Sequence, residues 1–176
     1  MKWLFASDIH GSAFHCSKLM EAFDRECADK LILLGDLLYH GPRNPLPDGY
    51  APMEVAQMLN DRKSKILCVR GNCDAEVDQM VLEFPIMAPH MLLSAFGYDM
   101  LATHGHLIED GSIPLAGIVL QGHTHIPVCE HREGYVLMNP GSISLPKQGS
   151  PRGYMTLDED GFLWKTPEGE VYNSFK

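Results

Sequence analysis

Five short clusters, SDIHG, LGDLL, RGNCD, THGH and GHTH, constrain this chain more than any other feature. Each follows an apolar run that reads as a β-strand. Together they carry Asp8, His10, Asp36, Asn72, His104, His123 and His125. Hard oxygens and borderline nitrogens in this mixture suit divalent metals rather than a thiolate zinc site. Ligands scattered in sequence must converge in space, and loops at strand ends on a rigid sheet achieve that. The chain therefore needs several strands ending at one edge.

The intervening sequence supplies them. Lys2 to Ser7 reads as a buried strand, and Ser12 as the cap of a helix whose apolar stripe is Cys16, Leu19, Met20, Phe23 and Cys27. Leu31 to Leu34 is continuously apolar, the mark of a strand buried on both faces. Residues 40–52 hold four prolines and two glycines and predict an irregular loop. A helix follows from Pro52 to Asn60, with Val55, Met58 and Leu59 facing inward, then a strand from Ile66 to Val69. This strand–helix alternation predicts parallel pairing. Eight short strands are expected at 91–96, 99–103, 117–121, 126–130, 134–138, 153–157, 161–165 and 170–174, several joined by tight turns. A helix is considered for 75–82. No composition break or repeat divides the chain, so residues 1–176 read as a single domain.

Composition excludes some roles. The net charge of −9 argues against stable binding to nucleic acid or an anionic membrane. The apolar run near the N-terminus is too short for a signal-peptide core, and no run approaches the ~20 apolar residues of a membrane span. Five irregularly spaced cysteines without a CxxC pair fit reduced thiols in a cytoplasmic protein. The ten methionines read as core fillers. Oligomeric state is open, with a dimer or tetramer compatible.

A lone Asp-x-His or His-x-His pair says little, because such pairs arise by chance in solvated turns. Five clusters in order, most beside glycine, say much more. A carboxylate among them can bridge two cations ~3.5–4 Å apart.

These clusters resemble the calcineurin-like metallophosphoesterases, whose pattern runs Asp-x-His, Gly-Asp, Gly-Asn-His/Cys-Asp/Glu, His-Gly and Gly-His-x-His. The resemblance spans about residues 3–145. The strings GDLLYHGPRNPLPDGYAP, RGNCDAEVDQM and NPGSISLPKQG are most similar to the small bacterial YfcE-type phosphodiesterases. The resemblance implies an α/β fold, a four-layer α/β/β/α sandwich of two mixed sheets flanked by helices. It implies that Asp8, His10, Asp36 and His125 hold one metal, and that Asp36, Asn72, His104 and His123 hold the second, with Asp36 bridging. Mn²⁺ is the favoured metal, and Zn²⁺, Fe, Ni²⁺ and Mg²⁺ are compatible. The implied activity is that of a metal-dependent phosphodiesterase (a phosphoric diester hydrolase) acting on a small phosphodiester through a metal-bridging hydroxide. Competing readings are a phosphomonoesterase and a non-catalytic scaffold. The stretch GDLLYHG lacks the Asp-Arg of GDxxDRG phosphatases, and the intact ligand pattern favours catalysis over scaffolding.

Further residues bear on the chemistry. Many relatives carry His after the Asn, as a proton donor to the leaving oxygen, where this chain has Cys73. Losing a general acid costs ~10²–10⁴-fold for a basic leaving group, so activated leaving groups are expected. Cys73 is a weak candidate acid whose bland reading is structural. His40 is the alternative acid, with a plain loop residue as the competing reading. Asn72 can orient phosphate, and Arg43 can hold a phosphate oxygen or remain a surface loop residue. Arg70 reads as a structural partner. Asp74 is expected either to orient a ligand imidazole or to cap the 75–82 helix, His106 to stand behind the ligands, and Asn139–Ser142 to support the site as a turn.

Overall fold

The computed structural model describes residues 1–107 and 117–176. Its elements are β1 (Trp3–Ala6), α1 (Ala13–Arg25), β2 (Lys30–Leu33), α2 (Pro52–Asn60), β3 (Ile66–Cys68), β4 (His90–Ala95), β5 (Tyr98–Thr103), β6 (Ile118–Leu120), β7 (Pro127–Arg132), β8 (Tyr135–Pro140), β9 (Tyr154–Asp158), β10 (Gly161–Lys165) and β11 (Val171–Phe175). All eight strands expected in the second half form, each within two residues of its expected bounds.

Two mixed sheets result. The first runs β11-β10-β9-β1-β2-β3 and the second β4-β5-β6-β8-β7. In the first, β1, β2 and β3 are parallel, while β9, β10 and β11 pair antiparallel. In the second, β5, β6 and β8 are parallel, with antiparallel β4 and β7 at the edges.

Alternation along β1 and β2 sorts the core into layers. Leu4, Ala6, Leu31 and Leu33 face α1 and α2, meeting Cys16, Leu19, Phe23, Val55 and Leu59. Phe5, Ile32 and Leu34 point the other way, into the space between the sheets, with Met100, Ile118, Leu120, Met138, Phe162 and Trp164. The continuous apolar run at 31–34 is thus buried on both faces. Both described α-helices lie on the first sheet. On the outer face of the second, Leu101, Val119 and Leu137 form a smaller cluster.

Local signals explain the helix ends. Ser12 accepts the His15 N–H at 3.1 Å and caps α1. Pro52 opens α2, where a missing N–H costs nothing. Two expectations about the helices fail. Cys27 is exposed rather than on the apolar stripe, because the chain leaves α1 through a left-handed residue there, φ 51°. Residues 75–82 form only a single 3₁₀ turn at Asp78–Met80, with the Asp78 carboxylate accepting the Ala75 N–H. Met53 and Met80 are exposed, so the methionines are not uniformly core residues.

The end of α1 is tied to the first sheet by ions. The Glu26 carboxylate takes hydrogen bonds from Lys165 Nζ at 2.7 and 2.9 Å and from the Tyr154 hydroxyl at 2.9 Å. Burial opposes the charge on Glu26, but these bonds outweigh it and lower its pKa. Its contribution is therefore present above the ordinary carboxylate pKa and is lost as pH falls through the depressed value. Replacing Glu26 by Gln strands the Lys165 ammonium and is expected to cost about 3 kcal/mol at pH 7. Denaturant melts at pH 7 and below pH 4 check this, with the difference between wild type and variant narrowing in acid.

Candidate metal centre

Every candidate ligand follows the carboxyl end of a parallel strand. Asp8 and His10 follow β1, Asp36 follows β2, Asn72 follows β3, His104 follows β5, and His123 and His125 follow β6. The space outside these strand ends is where open α/β sheets hold ligands. Here two sheets end at the same place. Asp8, His10, Asp36, His104 and His125 are buried, His123 is half-buried and Asn72 is open to solvent.

The backbone bends sharply to bring them together. Asp8, His10, Asp36, His123 and His125 all have left-handed φ, at 57°, 51°, 57°, 64° and 62°. Asp and His tolerate this region better than most residues, at a cost of roughly 1 kcal/mol or more each. Hydrogen bonds between neighbouring loops hold the bends: Asp8 N to Gly35 O at 3.1 Å and His10 N to Asp36 O at 2.9 Å. Gly35 and Gly71 are demanded by close approach. A Cβ on Gly35 would lie 2.5 Å from Gly71 N, and one on Gly71 2.1 Å from Asp36 Oδ1.

Proton positions follow from the partners of the rings. The Nδ1 atoms of His10, His104 and His125 lie 2.8, 2.6 and 2.6 Å from the carbonyls of Tyr39, Leu34 and Leu145. A carbonyl only accepts, so each Nδ1 carries hydrogen, and in the neutral ring Nε2 presents a lone pair. Those lone pairs converge. His10 Nε2 and His125 Nε2 are 3.2 Å apart, and His125 Nε2 is 3.3 Å from Asp8 Oδ1. Asp8 Oδ1 is buried and has no hydrogen-bond partner among the described residues.

A second convergence lies beside the first. His104 Nε2 is 3.0 Å from Asn72 Oδ1 and 3.4 Å from Asp36 Oδ2. His123 Nδ1 is 2.7 Å from the same Asn72 oxygen. Asp36 Oδ2 also lies 3.6 Å from His10 Nε2, so this carboxylate stands between the two groups. In the first group, the buried His10 and His125 lone pairs facing each other are unfavourable, and a cation between them removes the conflict; in the second, a cation can replace the ring protons that face the Asp36 and Asn72 oxygens. The donor set and the orphaned Asp8 oxygen both fit divalent metal ions. Asp8, His10 and His125, and separately Asp8, Asp36 and His104, each offer ligand atoms within 4.8 Å of one another.

Support comes from residues the sequence reveals poorly. Asp74 neither touches an imidazole nor caps a helix. Its carboxylate accepts the N–H groups of Asp36, Leu37 and Gly71 at 2.9, 2.8 and 2.7 Å, so it shapes the Asp36 loop. Ser142 and Ser144 both donate to Asp8 O at 2.8 Å. Asn139, at the end of β8, donates to Gly122 O and so braces the His123–His125 loop. Arg70 bonds the Asp74 carbonyl through Nε, as a structural partner would. The His106 ring packs 5.3 Å from that of His104.

Above the ligands opens a cleft of about 290 Å³ lined by Arg43, Asn44, Asn72, Cys73, His123 and Lys147. Lys147 and Asn44 were not singled out from sequence. Lys147 is the one basic residue of NPGSISLPKQG, and that segment carries the Leu145 carbonyl behind His125. Cys73 lines the cleft, but burial and the neighbouring Asp36 push its thiol up to about 12. His40 is absent from this lining; its ring packs against Tyr39 and Tyr50, at centroid distances of 4.8 and 5.4 Å.

Burial opposes a charge on His104, yet its hydrogen bond to Asp36 and the attraction of Asp8 and Asp36 raise its pKa to about 9. Without metal the imidazole is therefore protonated at pH 7, and binding must expel that proton. Adding Mn²⁺ to metal-free protein at pH 7 in weak buffer is expected to release at least one proton per chain. The release should disappear as pH rises above about 9, and none at pH 7 would contradict the assignment of His104.

The whole chain has known relatives. The calcineurin-like phosphoesterase superfamily domain matches residues 1–161. Phosphodiesterase YfcE of Escherichia coli (strain K12) is 48% identical over 163 residues, covering 91% of this chain and 89% of that protein. The probable metallophosphoesterase YsnB of Bacillus subtilis is 28% identical over 172 residues, 91% of this chain and 86% of its own. A solved structure of YfcE, described as a phosphoesterase from E. coli, superposes with a TM-score of 0.94 and 43% identity over 99% of this chain and 98% of its own. A Vps29 mutant from Entamoeba histolytica shares the fold alone, at TM-score 0.67 and 16% identity over all of both chains. Motifs, sheet topology and relatives agree that the chain belongs to the calcineurin-like phosphoesterase superfamily.

Proposed function

We propose that this protein is a phosphodiesterase that binds two divalent metal ions, with Mn²⁺ favoured, and hydrolyses small phosphodiesters. The observation that carries the reading is the convergence of seven donor residues from both sheets, with lone pairs facing one another and the Asp8 oxygen left unpartnered. Asp8, His10, Asp36 and His125 would hold one ion; Asp36, Asn72, His104 and His123 would hold the other. Two such ions would supply a water of lowered pKa and would neutralise charge on the phosphoryl oxygens. The 48% identity to a protein named a phosphodiesterase supports a diester as substrate.

The chain's own side chains do the rest. Arg43 and Lys147 place two cationic groups on the cleft, where they bind and orient phosphate oxygens. The Asn72 amide nitrogen bonds Cys73 Sγ at 3.3 Å, which turns its oxygen toward His104 and His123. Cys73, with its thiol pushed up to about 12, is a poor acid at neutral pH. His40 is held between two tyrosines beside the cleft rather than in its lining. The leaving oxygen therefore departs without a strong side-chain acid, which favours activated leaving groups.

Because both sheets build one centre, we read residues 1–176 as one domain. All five cysteines are free thiols, which supports a reducing, cytoplasmic setting. No described helix is long and apolar enough to cross a membrane.

Metal-loaded protein is expected to hydrolyse bis-p-nitrophenyl phosphate, and Asp36→Ala to lower kcat/KM by roughly 10²–10³-fold. Cys73→Ala and His40→Ala should each cost far less than the ~10²–10⁴-fold of a lost general acid. Activity should fall in mild acid as protons compete for the imidazoles. Equal kcat/KM on dialkyl and nitrophenyl diesters would refute the leaving-group preference, and inert metal-loaded protein would refute the activity itself.

A further inference from the structure

Cys73 is a wall of the cleft. That residue also lines a second, larger cavity of about 460 Å³, walled by Leu38, Tyr39, Tyr50, Met53, Val77 and Val81. The two spaces differ in chemistry. The cleft over the ligands carries Arg43 and Lys147, whereas the groove carries no basic side chain. Its one acid, Asp78, already accepts the Ala75 N–H at 2.8 Å. A second phosphate or other anion finds no partner there.

Several of its walls are apolar yet open to water. Met53 is 63% exposed, Val77 62% and Tyr39 43%. Apolar walls open to water suit an apolar ligand group. It is built from the same two loops that carry the candidate ligands: Leu38 and Tyr39 follow Asp36, while Val77 and Val81 follow Asn72. The Tyr39 carbonyl itself orients His10 at 2.8 Å. Whatever enters the groove is thereby positioned relative to the metal centre.

We propose that this groove is the subsite for an uncharged aromatic ester group of the substrate, whose phosphate occupies the adjoining cleft. The wall at Cys73 that cleft and groove share puts a substrate ester group within reach as its occupant, and the tyrosine rings favour an aromatic group over a saturated chain. The inference rests on the phosphodiesterase reading and narrows it to diesters with one bulky apolar arm. Val77 and Met53 are then specificity-determining residues that touch the arm and not the phosphorus.

The test compares the ethyl and naphthylmethyl monoesters of methylphosphonic acid, equal in charge and different only in the arm. Both are added to the metal-loaded full chain, with hydrolysis of bis-p-nitrophenyl phosphate and the ¹³C-methyl signal of Met53 as readouts. The naphthylmethyl ester is expected to inhibit at a concentration roughly tenfold lower or better, and to shift the Met53 methyl where the ethyl ester does not. Val77→Asp should collapse that ratio towards one, and Val77→Leu should keep it. Equal inhibition by the two esters with Met53 unmoved overturns the groove while leaving the phosphodiesterase reading intact. Hydrolysis of no diester overturns that reading, and the Met53 shift still decides the groove by itself. A Met53 signal that follows protein concentration and ignores both esters assigns the groove to a second copy of the chain, and overturns the proposal.

Discussion

Two imidazole nitrogens 3.2 Å apart, each bearing a lone pair when neutral, are the constraint around which this molecule is organised. His10 and His125 cannot relieve it by turning, because their other nitrogens are engaged by the Tyr39 and Leu145 carbonyls. Two residues distant in sequence are thus pinned in an arrangement that only a proton or a cation stabilises. Asp8, Asp36 and His104 enlarge the buried set of ligand atoms around them, and the two carboxylates repel each other there. Folding brings these groups together against their own repulsion, so the scaffold must be stiff. The core between the two sheets, with Phe162 and Trp164 fully buried, provides that stiffness.

The strain is local and bounded. Left-handed backbone recurs at Asp8, His10, Asp36, His123 and His125, and each bend lies two to five residues beyond a parallel strand. Around the bends stands a shell of ordinary hydrogen bonds. Asp74 gathers three N–H groups, and Ser142 and Ser144 both hold the Asp8 carbonyl. These side chains bond backbone groups of the ligand loops, and so set the angles at which the ligands face the centre. Precise donor placement depends on supports of this kind.

Much of this was legible in the sequence. The seven candidate ligands stood out because each short polar cluster follows an apolar run, and the structure gathers all seven. The eight later strands, the Ser12 cap and the Pro52 helix start were equally readable, since pattern and turn chemistry act locally. Asp74 was noticed but misread, because its three partners come from two separate loops. Asn44 carried no signal, as single polar residues in loops rarely do, and Lys147 is marked only as the one basic residue of NPGSISLPKQG. Cys27 was misplaced because periodicity shows which face a residue would take but not where the helix stops.

By itself the sequence determined the kinds of donor, their order along the chain and the strands that deliver them. These follow from residue chemistry and from periods of two and 3.6, which neighbours in the chain suffice to define. Only the tertiary structure decided how the loops cross. It set Asp36 between the two groups, left Asp8 Oδ1 unpartnered, turned His40 against tyrosines and opened a groove behind Cys73. These features depend on the relative position of segments tens of residues apart. That position is fixed by packing two sheets face to face, and no local pattern records it.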